Sequence, residues 1–156
     1  MPFYSRKNPR AQRYDYQSEG MYFVTICTKH RECYFGRIQN QTMTLSEVWN
    51  ICEKKLKMML SIRSSVEMFN YVIMPNHIHL LFYKWDNNVS LWEIIGQFKA
   101  GVTRHCDREN LKFWWQSRYH DIIVRNENDY VAIDNYIETN VENWWKDKFY
   151  KIWEEI

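Results

Sequence analysis

A chain of 156 residues with 46% apolar content is long enough to bury one hydrophobic core, so a single domain spanning residues 1–156 is expected. The 21 basic and 19 acidic side chains leave a net charge of only +2, which excludes a strong whole-molecule attraction for polyanions. Any nucleic-acid site must therefore be a local patch. No apolar run is long enough to cross a bilayer, so no membrane partner is expected.

The amino-terminal arm, residues 1–20, is the best sequence candidate for such a patch. In "YSRKNPRAQRYDYQ", cations alternate with tyrosines. Cations can contact phosphates while rings stack on unpaired bases, which is the chemistry of single-strand binding. A solvated terminus without a ligand fits the same stretch equally well. The cations assigned to DNA binding here are Arg6, Lys7, Arg10 and Arg13.

The four cysteines indicate a reducing compartment. Positions 27, 33, 52 and 106 contain no C-x-x-C spacing, and the chain opens without a charged and then apolar signal segment. We therefore expect free thiols in a cytoplasmic protein.

The predicted elements begin with a strand over residues 21–28, where "MYFVTICT" is rich in β-branched and aromatic side chains. After a polar connection, Thr44 and Glu47 stand at capping-box spacing before an apolar stripe. This pattern predicts a first helix through residue 60. "VEMFNYVIM" then predicts a second strand over residues 66–74.

A Pro-Asn turn at 75–76 joins the second strand to an antiparallel third strand over residues 77–83. Ser90 and Glu93 form a second capping box. The apolar stripe that follows them predicts a second helix ending near Thr103.

"YHDIIV" predicts a fourth strand over residues 119–124, and Asn128 or Asp129 is expected to cap a last helix running through "NVENWW". The order strand, helix, strand, strand, helix, strand is the pattern of a ferredoxin-like α+β sandwich. This fold has one four-stranded antiparallel sheet with two helices on one face. The core is assigned to residues 21–125, and the last helix and tail to residues 126–156.

A histidine pair in the third strand predicts a metal site. Because side chains alternate along a strand, Ile78, Leu80 and Phe82 are expected to face the helices. His77 and His79 then share the open face, where neutral imidazoles suit a divalent metal. The H-x-H spacing alone is weak evidence. A histidine-triad nucleotide hydrolase is excluded, since Leu81 stands where that chemistry needs a third histidine.

The last helix offers the further groups that such a site needs. Tyr136 and Asn140 stand four residues apart, on a face adjacent to the packing stripe. If the helix packs beside the open face, the carboxamide oxygen can ligate a metal and the phenol can attack a phosphodiester. Tyr119 is a competing nucleophile, but a strand position gives it no carboxamide at this spacing.

Three blocks, "YVIMPNHIHLLF", "WWQSRYHDIIVRNENDY" and "IDNYIETN", resemble the single-tyrosine transposases of bacterial insertion sequences in the HUH superfamily. The REP-associated tyrosine transposases are the most similar branch. The likeness runs from about residue 21 to residue 140, with the blocks in the same order and at similar gaps. Three blocks in register are far more specific than the histidine pair.

This resemblance implies metal-dependent cleavage and rejoining of single-stranded DNA near a hairpin, with no organic cofactor. His77 and His79 match the pair that binds Mg or Mn, and Tyr136 matches the nucleophile that forms a 5′-phosphotyrosine. Asn140 stands where the family places a polar metal ligand, which is glutamine in some members. The branch often has Asn-Pro here, whereas Val141 follows in this chain, so the helix is expected to continue towards Trp144.

Cations elsewhere could hold phosphates along the cleft, although such residues often lie simply on a solvated surface. Two other functions stay open: a domesticated hairpin-DNA-binding protein without catalysis, and a metal-dependent phosphodiesterase that uses activated water. A homodimer and a monomer also stay open, because one tyrosine per chain cuts one strand at a time. The further cations assigned to DNA binding are Lys99, Arg104, Arg118 and Arg125.

Overall fold

The computed structural model describes residues 18–151, so the four cations predicted in the arm lie outside the described residues. The described part contains six strands, three α-helices and two single-turn 3-10 helices, at Lys29–Arg31 and Trp144–Lys146. In chain order the strands and α-helices are β1 Gly20–Thr28, β2 Gly36–Gln39, β3 Thr42–Leu45, α1 Glu47–Ile62, β4 Val66–Ile73, β5 His77–Lys84, α2 Leu91–Arg108, β6 Trp115–Val124 and α3 Glu127–Glu138.

The main sheet has the predicted ferredoxin-like arrangement. Its strand order is β4-β5-β1-β6, and every neighbouring pair is antiparallel. The central strands β5 and β1 are therefore covered by hydrogen-bonded neighbours on both edges, while β4 and β6 form the edges of the sheet. Among residues 18–151, no helix is both long enough and apolar enough to span a membrane.

One face of the sheet carries the main hydrophobic core. Ile78, Leu80 and Phe82 of β5 are fully buried in the same cluster as apolar side chains of α1 and α2. Tyr22, Val24 and Ile26 of β1 join this cluster, as the alternation of side chains along a strand requires. The predicted orientation of the third strand is thus confirmed.

The opposite face is partly covered by α3 and by the segment after it. Ile133 and Ile137 of α3 pack against Phe23 of β1 and Leu81 of β5. Further along, Trp144 and Phe149 pack in a separate cluster with Cys27 and Met74. This second layer covers the face of the sheet that carries His77 and His79.

The polar connection after β1 contains a β-hairpin, formed by β2 and β3, that was not predicted from the sequence. Asn40 and Gln41 have φ angles of 50° and 61°, as a two-residue type I′ turn requires at both central positions. Gly36 has a φ of +137°, and a Cβ there would lie 2.1 Å from the carbonyl oxygen of Thr44. Only glycine fits this close approach of the two hairpin strands.

The hairpin also corrects the start of the first helix. Thr44 belongs to β3, and Ser46 caps α1, because its Oγ accepts a hydrogen bond of 3.1 Å from the amide of Trp49. The capping box of Ser90 and Glu93 is confirmed at the start of α2. This helix continues past Thr103 because Cys106, in its last turn, is buried in the core.

The last helix starts and ends earlier than predicted. Asn126 is the N-cap of α3, in place of Asn128 or Asp129, and its Oδ1 accepts a hydrogen bond of 2.8 Å from the amide of Asp129. The predicted continuation through "NVENWW" is wrong. The helix ends at Glu138, where the Thr139 hydroxyl donates to the Asn135 carbonyl at 2.8 Å and so competes with the helical backbone.

Candidate active site

The two histidines lie at the start of β5, opposite β1, where Cys27 pairs with His77 and Thr25 pairs with His79. Their side chains are 0% and 2% exposed, and their ring centroids are 4.6 Å apart. Because both belong to a central strand, their backbone positions are fixed by hydrogen bonding on both sides of β5. The strand geometry thus brings both imidazoles to one buried spot on the face that α3 covers.

Each imidazole is oriented through Nδ1. For His77 this atom lies 2.8 Å from Asn76 Oδ1, and for His79 it lies 2.9 Å from Thr25 Oγ1. The Asn76 amide nitrogen donates to the carbonyls of Arg31 and Phe149, so its oxygen faces the His77 ring as an acceptor. His77 therefore carries its proton on Nδ1 and presents the lone pair of Nε2 to the interior.

Four buried polar atoms near this point have no hydrogen-bond partner. They are His77 Nε2, His79 Nε2, Asn140 Oδ1 and Asp147 Oδ2. One ligand atom from each of His77, His79 and Asp147 lies within 4.8 Å of the others, and this is the only such group in residues 18–151. Each unpaired buried polar atom costs about 1–3 kcal/mol, so a bound cation that satisfies all four would stabilise the folded chain.

Asp147 is a further residue of this centre that was not predicted from the sequence. The residue follows the 3-10 turn at Trp144–Lys146, and the Phe149 amide donates to its Oδ1 at 2.8 Å. Its other oxygen, Oδ2, lies 3.6 Å from His77 Nε2. The ring of His77 packs between Trp144 and Phe149, at centroid distances of 6.1 and 4.6 Å, which fixes this turn against the histidines.

Burial sets the protonation state of the centre. It lowers the pKa of His77 well below its usual value and lowers that of His79 from 6.5 to about 3, with the positive charge of Lys148 acting in the same direction. Burial also raises the pKa of Asp147, while the hydrogen bond from Phe149 opposes that shift. Both imidazoles are thus neutral near pH 7 and can donate lone pairs to a cation.

Tyr136 lies above the histidines. Its ring centroid is 5.1 Å from that of His79 and 6.3 Å from that of Phe23, and the residue is 40% exposed. Burial of the phenol is the main reason that its pKa is raised, and the charge of Asp147 adds to the effect. A hydrogen bond donated by the Asn140 side chain lowers this pKa. The phenol is therefore protonated at neutral pH, on a residue that is partly open to solvent.

The structure places Tyr136 against His79, and a side-chain hydrogen bond links Asn140 to Tyr136. Asn140 lies in the turn just after α3, where its amide donates to the carbonyl of Ile137 at 3.3 Å. The competing Tyr119 is 8% exposed, pairs with Ile26 and belongs to the core beneath α1 and α2. It therefore faces away from the histidines.

The cations predicted to hold phosphates lie in different places. Lys99 Nζ donates to the carbonyl of Gln116 at 2.7 Å, and burial lowers its pKa, so this side chain ties α2 to β6. Arg118 is exposed on β6, two residues before His120, which pairs with Thr25. Side chains two residues apart on a strand share a face, so Arg118 lies on the face of the histidines. Their roles in DNA binding stay predictions. Arg104 on α2 and Arg125 after β6 are also exposed.

The protonation of His79 predicts an acid sensitivity of the metal-free protein. Its pKa is about 3 in the folded chain and about 6.5 in the unfolded chain, so the unfolded state binds the proton first as the pH falls. The stability is intact above pH 6.5 and should decline below it by up to about 1.4 kcal/mol per pH unit. Urea unfolding in the presence of a chelator, between pH 7.5 and 5, measures this slope.

His79→Asn removes one of the two buried imidazoles whose pKa is lowered and should therefore reduce that slope. His30→Asn is the matched control, because His30 is exposed and its φ of 55° suits asparagine. Equal slopes for the wild-type chain and for His79→Asn would contradict the assignment.

An antiparallel ferredoxin-like sheet with a histidine pair on its central strand, crossed by a helix that presents a tyrosine, defines the class of the HUH single-tyrosine transposases. Residues 16–140 match the family described as "Transposase IS200 like", and the chain belongs to that family. It is therefore a transposase-type DNA-processing enzyme.

Three known proteins are similar to the chain. A protein of Haemophilus influenzae called "Uncharacterized protein" is 34% identical over 168 residues, which covers 93% of each chain. A solved REP-associated tyrosine transposase bound to a REP hairpin has a TM-score of 0.65 at 23% identity, covering 87% of this chain and 75% of the other. A putative transposase from Deinococcus radiodurans has a TM-score of 0.52 at 18% identity, covering 83% and 95%. The two solved structures show a shared fold.

Proposed function

We propose that this transposase cleaves and rejoins single-stranded DNA near a hairpin, with Tyr136 as the nucleophile and a divalent cation, Mg or Mn, in the buried centre. The observation that carries the proposal is the cluster of unpaired buried ligand atoms on His77, His79 and Asp147, beside the partly exposed Tyr136. A purely structural core does not require this arrangement, since each buried polar atom without a hydrogen-bond partner destabilises the fold.

The donors fit a divalent cation. His77 Nε2 and His79 Nε2 supply neutral nitrogens, and the oxygens of Asp147 and Asn140 supply the harder ligands that Mg and Mn prefer. Asn76 and Thr25 hold the imidazoles from behind, as the outer partners of metal-ligating histidines generally do. When bound, the cation would stabilise negative charge on the oxygens of the reacting phosphodiester.

The phenol would carry the covalent chemistry. The Tyr136 oxygen attacks the phosphorus, the bond from phosphorus to the 3′ oxygen breaks, and a 5′-phosphotyrosine forms. The phenol loses one proton and the departing 3′ oxygen gains one, so the charges balance. Attack by a free 3′ hydroxyl on the phosphotyrosine reverses these steps and joins strands. The hydrogen bond to Asn140 favours the phenolate that attacks.

The proposed hairpin substrate is inferred from a solved structure of similar fold. The REP-associated transposase of similar fold was solved with a REP hairpin, which supports a hairpin substrate for this chain as well. The REP-associated branch is therefore the branch to which we assign it. The proposed DNA substrate and the four free cysteines both support a cytoplasmic location.

The direct test is adduct formation. Purified full-length chain is incubated with Mg or Mn and a labelled single-stranded oligonucleotide that contains a hairpin and unpaired flanks. We expect a covalent protein-DNA product that resists denaturation and maps to Tyr136 by mass spectrometry. Hairpin binding without cleavage, with either metal, would favour the domesticated binding protein. Turnover without any protein-linked product would favour the phosphodiesterase.

A further inference from the structure

A second concave site lies beside the metal centre, at the end of β1 and the start of β6. This cleft encloses about 680 Å³ and is lined by residues 29–31 and 114–117. Ligand pockets in proteins commonly measure about 300–1,000 Å³, so the cleft has room for a nucleotide. The chemistry assigned to the histidines and Tyr136 does not use these residues.

The lining combines positive charge with an accessible ring. Lys29 and Arg31 provide two cations, and none of the lining residues is acidic. Trp114 is 51% exposed, so one part of its indole packs on Tyr34, at a centroid distance of 6.3 Å, while the rest faces the cleft and solvent. Cations beside an exposed ring are the elements of single-strand nucleic-acid sites, where each base stacks and each phosphate pairs.

The cleft is built by a constrained backbone. His30 and Arg31 have φ angles of 55° and 56°, a left-handed conformation that non-glycine residues seldom adopt. The amide of Lys29 donates to the Trp114 carbonyl at 2.9 Å, which holds the turn against β6. Such strained positions persist only where the surrounding structure fixes them, and they concentrate at functional sites.

The cleft is physically connected to the metal centre. The carbonyl of Arg31 accepts a hydrogen bond from the Asn76 amide nitrogen at 3.1 Å, and Asn76 orients His77. The Arg31 guanidinium also lies 5.2 Å from the ring centroid of Phe149, which packs on His77. Lys29 follows Cys27, the partner of His77, by two residues.

We propose that this cleft binds an unpaired nucleotide of single-stranded DNA next to the scissile phosphate, with the base stacked on Trp114 and the phosphate beside Lys29. The inference rests on the proposed function, because it names where the strand leaves the catalytic centre. A DNA duplex does not offer such an unstacked base, so the cleft would select unpaired flanks over paired ones.

The first test measures affinity with the cleavage-inert Tyr136→Phe chain as background. Two oligonucleotides are compared: a hairpin with unpaired flanks and the same hairpin without them. Trp114→Ala should weaken binding of the flanked hairpin by about 5- to 150-fold, the range for stacking of one base on a ring. Binding of the flankless hairpin should not change. Trp114→Phe, which keeps an aromatic face, should restore most of the affinity.

Trp85→Ala is the matched control, because Trp85 is also 51% exposed but follows β5 at the far end of the sheet. It should bind both oligonucleotides as the background chain does. Circular dichroism of each variant verifies folding.

Photochemical cross-linking gives an independent readout. With 5-iodouracil at each unpaired position in turn, one position should cross-link to the tryptic peptide of residues 113–118, and Trp114→Ala should remove that product. Lys29→Gln should reduce the slope of log affinity against log salt by about 0.7, as expected for one lost phosphate contact on a single strand. Lys54→Gln, on the exposed side of α1, should leave the slope unchanged.

The failures of the two proposals can be told apart. If wild-type chain forms the Tyr136 adduct but Trp114→Ala binds flanked hairpins with full affinity, the nucleotide cleft is rejected and the catalytic proposal stands. If no adduct forms with Mg or Mn, the catalytic proposal fails. The affinity and cross-linking experiments then test the nucleotide cleft independently.

Discussion

Tyr136→Phe is expected to abolish the covalent protein-DNA product and, with it, both strand cleavage and strand joining. The substitution removes the oxygen that we propose attacks phosphorus and leaves the ring in contact with His79 and Phe23. Loss of a nucleophile lowers the rate by several orders of magnitude, so we expect a decrease of at least about 1,000-fold. Denaturing gel electrophoresis of labelled oligonucleotide measures both the adduct and the cleaved strand.

Two tyrosines provide controls for this experiment. Tyr130→Phe changes the same helix, at a residue that packs against Phe69 outside the centre, and should retain full activity. Tyr119→Phe tests the competing nucleophile, which lies on the core face of β6, and should also retain the adduct. Full cleavage by Tyr136→Phe would refute the assignment. An adduct that disappears only in Tyr119→Phe would move the nucleophile to β6.

The parts of the site that follow from strand and helix periodicity could be predicted from the sequence. Alternation along β5 separates His77 and His79 from Ile78 and Leu80 whatever the details of packing. Helical spacing likewise places Tyr136 one turn before Asn140. These are local rules, and local rules are enough wherever a site is built from neighbours on one element.

Asp147 could not be found by the same reasoning. It reaches His77 because the chain turns at Thr139, forms a 3-10 turn and docks Trp144 and Phe149 against the sheet. No periodicity links a residue in this turn to a strand some 70 positions earlier in the chain. The expectation of a longer helix concealed it, since in a continuous helix this carboxylate would move away from the histidines.

The hairpin β2–β3 was missed for a different reason. Its strands are short and contain no fully buried residue, so no alternation of apolar side chains marks them. The turn depends on two left-handed residues, Asn40 and Gln41, and glutamine is not a residue that normally indicates such a turn. Its glycine, Gly36, is explained only by the approach of Thr44 from the other strand.

The second large effect is expected in cation binding. A Mn titration that is monitored by electron paramagnetic resonance measures this binding without any DNA. His79→Asn removes one of the two proposed nitrogen ligands and should lower Mn affinity by more than about 100-fold, since loss of even an outer partner of a ligand costs about 10- to 100-fold. Asn76→Ala is such an outer change and should fall within that range, because His77 loses the acceptor on its Nδ1.

Asp147→Asn tests whether the Asp147 carboxylate contributes to cation binding. The variant keeps the shape of the side chain, including an oxygen beside the Phe149 amide, but loses the negative charge that lies 3.6 Å from His77 Nε2. We expect a loss of at least about tenfold in Mn affinity, because a unit charge in a partly buried site contributes several kcal/mol to binding a cation. Asp107→Asn, an exposed change on α2, should have no effect. Wild-type affinity in Asp147→Asn would exclude the carboxylate as a ligand and leave Asn140 as the oxygen donor beside the two histidines.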